Sequence, residues 1–187
     1  MAGRPRSIDR DKVLDAAEVI VGELGASGLT FEAVAKAAGI TKGGVQYCFG
    51  TKENLVRAMI TRWGDAFEEE VRQYAGPAPS PQAVIRGHLA ATRNADAAEH
   101  SRSAVMMTAL LEKPDQVAAS RAWYTERLAG LDLARAEDRK LAVAFLAGEG
   151  AFLLKAFGLI DLSQEQWNAL FADILALAQE PGKEGEG

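Results

Sequence analysis

The stretch TFEAVAKAAGITKGGVQYCFGTKENL, residues 30–55, decides the fold of this chain. It contains three predicted helix starts, each preceded by a threonine, a residue type that caps helix N-termini: Thr30, Thr41 and Thr51. The first two helices end at Gly39 and Gly50, because glycine takes the left-handed conformation after a helix without steric cost. Helix, short glycine-bearing turn and helix predict a helix-turn-helix, whose second helix enters the DNA major groove.

The second helix of this pattern carries the groups that we expect to read DNA. Its consecutive glycines, Gly43 and Gly44, each cost about 1 kcal/mol relative to alanine inside a helix, so stability alone does not explain them. Without side chains they let the backbone approach another surface, and the free N–H groups at a helix N-terminus attract phosphate. Gln46 can make two hydrogen bonds to adenine, while Tyr47 and Lys52 can reach phosphates. The alternative is a solvated helical hairpin in an ordinary all-α domain.

Residues 41–55, TKGGVQYCFGTKENL, resemble the recognition segment of tetracycline-repressor-like (TetR) bacterial transcriptional regulators, which typically reads S-K-G-T-L-Y-Y-H-F-x-S-K-E-x-L. The resemblance spans about residues 4–60. It departs at Gly44, Gln46 and Cys48, which are variable positions of the family, so it implies DNA binding without implying an operator sequence. The DNA contacts that it implies are Thr30, Thr41, Lys42, Gly43, Tyr47 and Lys52. Gly44 and Gln46 join them because we predict both on the exposed face.

An arginine-bearing arm precedes the first helix and contains Arg4 and Arg6. Arms of this kind follow phosphates or enter the minor groove in homeodomains. The alternative is a disordered tail, and the residues alone leave both open.

Charge is divided unevenly along the chain, whose formal net charge is −5. Residues 1–57 hold eight Lys/Arg and seven Asp/Glu, whereas residues 58–187 hold 13 and 19. Phosphate repels an acidic segment, so we expect the second part to lie away from DNA. No apolar run reaches the length of a membrane span, the N-terminus lacks the apolar stretch of a signal peptide, and Cys48 is a lone cysteine. We therefore expect a cytoplasmic protein that binds no membrane.

The remainder of the chain has apolar residues at helical spacing and no alternating strand pattern. The predicted fold class is all-α, with a three-helix helix-turn-helix DNA-binding domain followed by a helical ligand-binding and dimerisation domain. The Pro-rich segment GPAPSP, residues 76–81, is the clearest linker. The predicted domains are the arm and reading head at 1–55, a connecting helix at 56–75, an effector and dimer domain at 76–180, and a disordered tail at 181–187. Further helices are predicted over residues 9–24, 52–74, 81–94, 99–111, 115–131, 136–159 and 164–179.

The last two predicted helices are apolar around most of their circumference, which indicates burial on more than one side. One side can face the domain core and the other a second subunit, and the family resemblance likewise implies a homodimer through these helices. A two-fold dimer reads a palindromic DNA operator. The alternative is a larger monomer core. The predicted dimer interface contains Ala147, Gly150, Leu154, Phe157, Trp167, Phe171 and Ile174.

Aromatic and methionine side chains in the second domain are the candidate lining of an effector site. At helical spacing such residues also form plain core. Glu149 lies in the most apolar helix, where a carboxylate needs a partner, and that partner is either a small molecule or an internal group such as Lys155, His88, Arg102 or an arginine of the facing subunit. The candidate ligand-binding residues are Phe67, Met106, Met107, Trp123, Tyr124, Phe145, Glu149 and Phe152.

A ligand-responsive repressor is the function that these features favour, with an operator, a small-molecule effector and a second copy of the chain as partners. The rival is a helical enzyme acting on a small apolar substrate, but no nucleophile elbow, phosphate loop or zinc motif is present. Two distant histidines are a weak metal signal, so we expect no metal, cofactor or catalytic residues. A ligand-independent architectural DNA protein would not need the aromatic second domain.

Overall fold

The computed structural model describes residues 8–112 and 114–179. Every regular element in these two ranges is an α-helix, which confirms the predicted all-α class. The nine helices that they contain are α1 Arg10–Gly28, α2 Phe31–Ala38, α3 Lys42–Phe49, α4 Lys52–Ala75, α5 Pro81–Asn94, α6 Ala97–Glu112, α7 Pro114–Leu128, α8 Ala136–Ala156 and α9 Gln164–Leu177.

Local capping accounts for the starts of five of these helices, α2 to α5 and α9. The hydroxyls of Thr30, Thr41 and Thr51 each accept a hydrogen bond from the backbone N–H three residues ahead, at 3.1 to 3.2 Å. Ser80 does the same for α5, and Ser163 forms a reciprocal capping box with Gln166 for α9. Because caps are local in sequence, the starts of these helices agree with the sequence pattern.

Three helix ends differ most from the sequence prediction, and one of them is that of α7, which ends at Leu128 instead of residue 131. Helix α1 breaks at Gly25, where we expected it to end, but helical backbone resumes and continues to Gly28. Helix α8 ends at Ala156 instead of continuing to residue 159, because Gly158 adopts a positive φ of 65° two residues later.

Helices α1 to α4 pack around one core, which the structure extends with Val105 from α6. Val34, Val45 and Leu55 are fully buried there, so the reading head has an apolar interior of its own. A second core joins α5, α8 and α9, and a smaller one surrounds Trp167 and Phe171. Since α4 packs against both α1 and α5, it connects the reading head to the second half of the molecule.

Candidate nucleic-acid interface and effector site

Helix α3 is held by its buried face, which leaves the opposite face open to solvent. Val45 and Phe49 are buried in the reading-head core. Arg10 of α1 donates a hydrogen bond from Nη1 to the carbonyl of Cys48 at 3.2 Å, and its guanidinium lies 4.5 Å from the centre of the Phe49 ring. Sequence reasoning did not identify Arg10 as a support, because no local pattern pairs residues 38 positions apart.

The open face of α3 presents Lys42, Gly43, Gln46 and Tyr47 together. Tyr47 is 87% exposed, an unusual state for a large aromatic side chain on a helix that is anchored on its other side. Lys42 forms an ion pair with Glu32 of α2 and holds the pKa of that carboxyl below its usual value. The pair neutralises an acidic group that would otherwise repel a phosphate beside the turn.

Gly44 lies on the buried face of α3, whereas we predicted it on the exposed face. It is buried, and a Cβ atom built on it would lie 3.0 Å from Cδ1 of Ile8 and 3.4 Å from Cδ1 of Ile40. Its missing side chain therefore makes room for the core of the reading head. The adjacent Gly43 has no such contact with the core and remains on the outer face.

The remaining predicted DNA contacts have different positions. Thr30, Thr41 and Lys52 are exposed at the starts of α2, α3 and α4. The two threonine oxygens accept capping hydrogen bonds, which leaves each hydroxyl hydrogen available to donate. Arg4 and Arg6 lie outside the described residues.

In the second half, Glu149 of α8 is hydrogen-bonded to two side chains. Nε2 of His88 lies 2.7 Å from Oε1 of Glu149, and the hydroxyl of Tyr124 donates to Oε2. Of the partners for Glu149 that were considered from the sequence, His88 is the one that the structure places beside it. Lys155 instead lies over the Trp167 ring, and Arg102 pairs with Glu99.

The carboxyl of Glu149 is ionised in this setting. Burial opposes its ionisation, but the hydrogen bonds from His88 and Tyr124 and the nearby Arg127 charge outweigh burial, so the pKa of Glu149 is below its usual value. Burial and the adjacent carboxylate raise the pKa of Tyr124, so its hydroxyl stays protonated and donates.

We predict a pH signature for this carboxylate. A folded-state pKa below the unfolded value contributes stability above the ordinary glutamate value of 4.5, and that contribution disappears as pH falls through the folded pKa. The stability advantage of wild type over Glu149→Gln should therefore shrink in acid. Urea unfolding of both proteins from pH 7 down to about pH 3 measures it. A difference that stays constant over this range would contradict the prediction.

Aromatic rings surround His88 and bring most of the predicted ligand residues together. The imidazole centre lies 4.9 Å from the ring centres of Phe67 and Phe145 and 5.7 Å from that of Trp123. Tyr124 packs edge-on against Trp123 at 4.8 Å. Sequence reasoning considered His88 as a partner for Glu149 and as one of two distant histidines, but not as an effector-site residue, although it lies at the centre of this group.

Three predicted ligand residues are not part of the group around His88. Phe152 packs instead against His100, with ring centres 5.0 Å apart. Met107 is half-buried on α6. The Met106 side chain lies outside the described part of the structure.

A polar network connects these aromatic residues to α4. Nε1 of Trp123 donates to Oε1 of Glu68 at 2.9 Å, and Arg127 forms an ion pair with the same oxygen. The Arg127 side chain is almost fully buried and lies 4.7 Å from the Trp123 ring centre. A change in the position of Trp123 would therefore act on Glu68 and, through it, on helix α4, which carries the reading head.

The predicted dimer residues fall into two groups. Trp167, Phe171 and Ile174 are buried inside this chain's own core, so their side chains cannot contact a second subunit. This corrects the sequence prediction, because a wide apolar arc does not reveal which part of it faces inward. Ala147, Gly150, Leu154 and Phe157 are at least partly exposed. The outer apolar face of α8 and α9 also includes Val143, Leu146, Leu170 and Leu177.

The described residues contain no group of three His, Cys, Asp or Glu side chains placed to hold a metal ion. Over the same residues, no helix combines the length and apolarity needed to cross a membrane.

Solved structures with this fold include several regulators. A transcriptional regulator from Rhodococcus sp. RHA1 superposes with a TM-score of 0.69 at 16% identity, covering 91% of this chain and 95% of that one. The fatty acid degradation regulator FadR from Bacillus halodurans gives 0.64 at 17%, covering 91% and 97%. The multidrug binding protein EbrR, complexed with proflavin, gives 0.55 at 22%, covering 88% and 98%. At these identities the likeness concerns the fold.

Sequence comparison is more specific. The transcriptional regulator BetI of Burkholderia thailandensis is 33% identical over 87 residues, which are 46% of this chain and only 45% of BetI. Residues 13–59 match the family described as bacterial regulatory proteins, tetR family, and residues 82–179 match the tetracyclin repressor-like C-terminal domain. Both descriptions are of regulators, so the enzyme alternative is rejected. With more than half of its length matched by the second description alone, the chain belongs to the tetracycline-repressor-like family of bacterial transcriptional regulators.

Proposed function

We propose that this protein is a cytoplasmic repressor that binds a palindromic operator as a homodimer and leaves it when a small molecule binds its C-terminal half. The observation that carries this function is the open face of α3, where Gln46 and Tyr47 project from a helix whose opposite face is buried. Such a helix can enter a major groove without losing its packing. The proposed domains remain those predicted: a reading head at 1–55, the connecting part of α4, and an effector and dimer domain at 76–180.

In this proposal the contacts divide by chemistry. Gln46 reads a base edge, while Tyr47 and Lys52 contact phosphates. Lys42 has three N–H donors, so it can contact a phosphate while it stays paired with Glu32. The amides and hydroxyls at the helix starts, including Thr30, Thr41 and Gly43, add phosphate contacts. Arg4 and Arg6 extend the contact from the N-terminal arm.

Lys52→Ala should weaken binding to every DNA sequence. A phosphate contact releases bound counterions, so losing one should reduce the slope of log affinity against log salt by about one. Fluorescence anisotropy at several salt concentrations measures this slope. Lys140→Ala is the matched control, since Lys140 is an exposed lysine on α8, and it should leave the slope unchanged. An unchanged slope in Lys52→Ala would remove the phosphate assignment.

Gln46→Ala should instead relax the preference at one base position. Loss of a two-hydrogen-bond contact to adenine costs about 1–3 kcal/mol of discrimination. Selection of binding sites from a randomised DNA pool, performed with wild type and variant, locates the affected position. If the variant loses affinity uniformly and keeps every base preference, Gln46 does not read a base.

Dimerisation in this proposal uses the outer apolar face of α8 and α9. Leu146 is 61% exposed on that face, with Val143, Ala147, Gly150 and Leu154 on the same helix. Helices with small residues between larger ones approach closely, and a second copy of the same face would cover all of these groups. The two reading heads would then lie about one DNA turn apart, roughly 34–36 Å or a multiple.

The effector in this proposal binds beside Glu149 and the rings around His88. Phe67, Trp123, Tyr124 and Phe145 provide the apolar walls, and Phe152 lies outside this group, against His100. EbrR, which shares the fold, is a multidrug binding protein complexed with proflavin, so the fold accommodates a small organic molecule. Movement of Trp123 would pull on Glu68 and pivot α4, which changes the spacing of the heads. Crystals with and without effector should therefore differ in head separation.

Footprinting of the DNA flanking the protein's own gene tests the function as a whole. We expect a protected, two-fold symmetric site that overlaps a promoter, and repression of a reporter from that promoter in cells. Protection of an asymmetric site, or activation of the reporter, would overturn the repressor assignment.

A further inference from the structure

Helix α3 is too short to hold its own orientation. It has eight residues, two of which are the adjacent glycines Gly43 and Gly44, and its last turn has no basic side chain. Isolated helices shorter than about 12 residues are marginal in water, and glycine weakens them further. The orientation of α3 therefore depends on contacts that other helices make with it.

The two ends of α3 are held in different ways. At the N-terminal end the cap is local, since the hydroxyl of Thr41 accepts a hydrogen bond from the N–H of Gly44 at 3.1 Å. At the C-terminal end the support comes from α1, where Nη1 of Arg10 donates to the carbonyl of Cys48 at 3.2 Å. This end of a helix carries a partial negative charge, so a guanidinium is favourable there.

Arg10 also contacts the next residue of α3. Its guanidinium lies 4.5 Å from the centre of the Phe49 ring, and cations are attracted to the faces of aromatic rings. The Arg10 side chain is exposed and borders an open groove of about 590 Å³ between α1, α3 and α4. Because the groove leaves one side of Arg10 open, the hydrogen bond and the ring contact, and not close packing, fix its place on α3.

Base reading requires a directional restraint of this kind. Gln46 and Tyr47 lie in the same helical turn as Cys48, so a tilt of the C-terminal end of α3 displaces both side chains. A hydrogen bond to a base edge weakens steeply when its angle is poor. Phosphate contacts carry no sequence information. A misaligned α3 therefore loses base discrimination while phosphate binding persists.

We propose that Arg10 is a positioning residue for sequence reading, which fixes the C-terminal end of α3 and contacts no DNA itself. This inference rests on the proposed function in one respect, that α3 reads an operator through Gln46. Without Arg10, α3 is aligned with the major groove for only part of the time, and operator affinity falls by that fraction. Binding to DNA of unrelated sequence, which depends on phosphates, is retained.

Arg10→Met tests this role, because methionine keeps an unbranched side chain beside Phe49 and removes the charge and the donors. Fluorescence anisotropy at several salt concentrations measures binding to two duplexes of equal length. One is the site that wild type selects from a randomised pool, and the other has an unrelated sequence. Affinity for the selected site should fall about tenfold, as for a helix that is aligned in about one molecule in ten.

Arg57→Met is the matched control. Arg57 lines the same groove, and its Nη1 donates to Asn54 of its own helix at 3.2 Å. Both variants remove one positive charge from the groove, so both should bind the unrelated duplex alike, but the control should keep its preference for the selected site. An equal loss of preference in both variants would overturn the proposal. A salt slope that falls by about one in Arg10→Met alone would also overturn it, because that is the mark of a lost phosphate contact.

Hydrogen exchange in the absence of DNA measures the anchoring directly. In Arg10→Met the amides of α3 should exchange faster than in wild type, whereas those of α4 should be unchanged. If the whole reading head of this variant is unfolded, Arg10→Lys decides instead. Lysine lacks the planar fork that serves Cys48 and Phe49 together, so it should also speed exchange in α3 and reduce the preference for the selected site. Wild-type exchange and preference in Arg10→Lys would then overturn the proposal.

The two readouts separate this inference from the proposed function. Wild-type protein that selects no site from the pool would refute operator reading itself. Unchanged exchange in α3 of a folded Arg10→Met variant would refute the anchoring by Arg10 and leave the repressor intact. The expected result is faster exchange confined to α3 together with a loss of preference for the selected site.

Discussion

Replacing Leu146 by glutamate is expected to convert the protein to a monomer that no longer holds its operator. Leu146 is the most exposed large apolar side chain of helix α8, on the face that we propose to be covered by a second copy. In a two-fold interface the same residue occurs twice, so one substitution places two carboxylates there. An unpaired buried charge costs roughly 3–5 kcal/mol, which would weaken assembly by at least a hundredfold.

Light scattering and operator titration measure the two consequences. A monomer has one reading head and contacts one half-site, so operator affinity should fall together with the mass. Leu133→Glu is the matched control, because Leu133 is 57% exposed but lies between α7 and α8, outside the outer apolar face. If Leu146→Glu remains a dimer with unchanged operator affinity, this face is not the interface.

Replacing Gly87 by alanine is expected to destabilise the protein, although alanine normally favours a helix. A Cβ atom on Gly87 would lie 2.7 Å from the carbonyl oxygen of Val71 and 3.1 Å from the backbone nitrogen of Ala75. Both atoms belong to the backbone of α4, so α4 and α5 must move apart to accommodate the methyl group. Overpacking of this kind costs about 1–3 kcal/mol.

Gly64→Ala, within α4, is expected to stabilise the protein instead. Gly64 is exposed within α4, and a Cβ atom there would meet nothing within 4 Å. It should therefore gain about 0.5–1 kcal/mol from the helix propensity of alanine. Thermal unfolding measures both effects: we expect Gly87→Ala to lower Tm and Gly64→Ala to raise it, by about 2–4 °C for each kcal/mol. An equal rise in Tm in both variants would show that a methyl group fits between α4 and α5, which would contradict the prediction.

The outcome at Gly87 also bears on effector response. Helix α4 carries the reading head at one end and Glu68 near its middle, and its contact with α5 is close enough to exclude a single methyl group. We expect a helix held this closely to move as a unit instead of bending at the contact. A displaced Glu68 would therefore shift the N-terminal end of α4, where Lys52 is expected to contact phosphate.

The amino-acid sequence alone was enough to predict the helices and the kind of protein. N-caps such as Thr41 and C-terminal glycines such as Gly39 act through hydrogen bonds and backbone angles within a few residues. They can therefore be predicted without the rest of the chain. Tyr47 on the open face of α3 could be placed from helical spacing for the same reason. Boundaries were wrong at the ends of α1, α7 and α8, where weak local signals compete with packing.

The direction in which each apolar surface faces, and the distant groups that come into contact, depend on tertiary packing. Trp167 and Phe171 face the chain's own core, and Gly44 faces Ile8, because packing selects one side of a helix whose pattern allows several. Glu149 meets His88 across 61 positions of sequence, a contact that no local periodicity encodes. Partner choice of this kind depends on how helices cross, and crossing is a property of the assembled core.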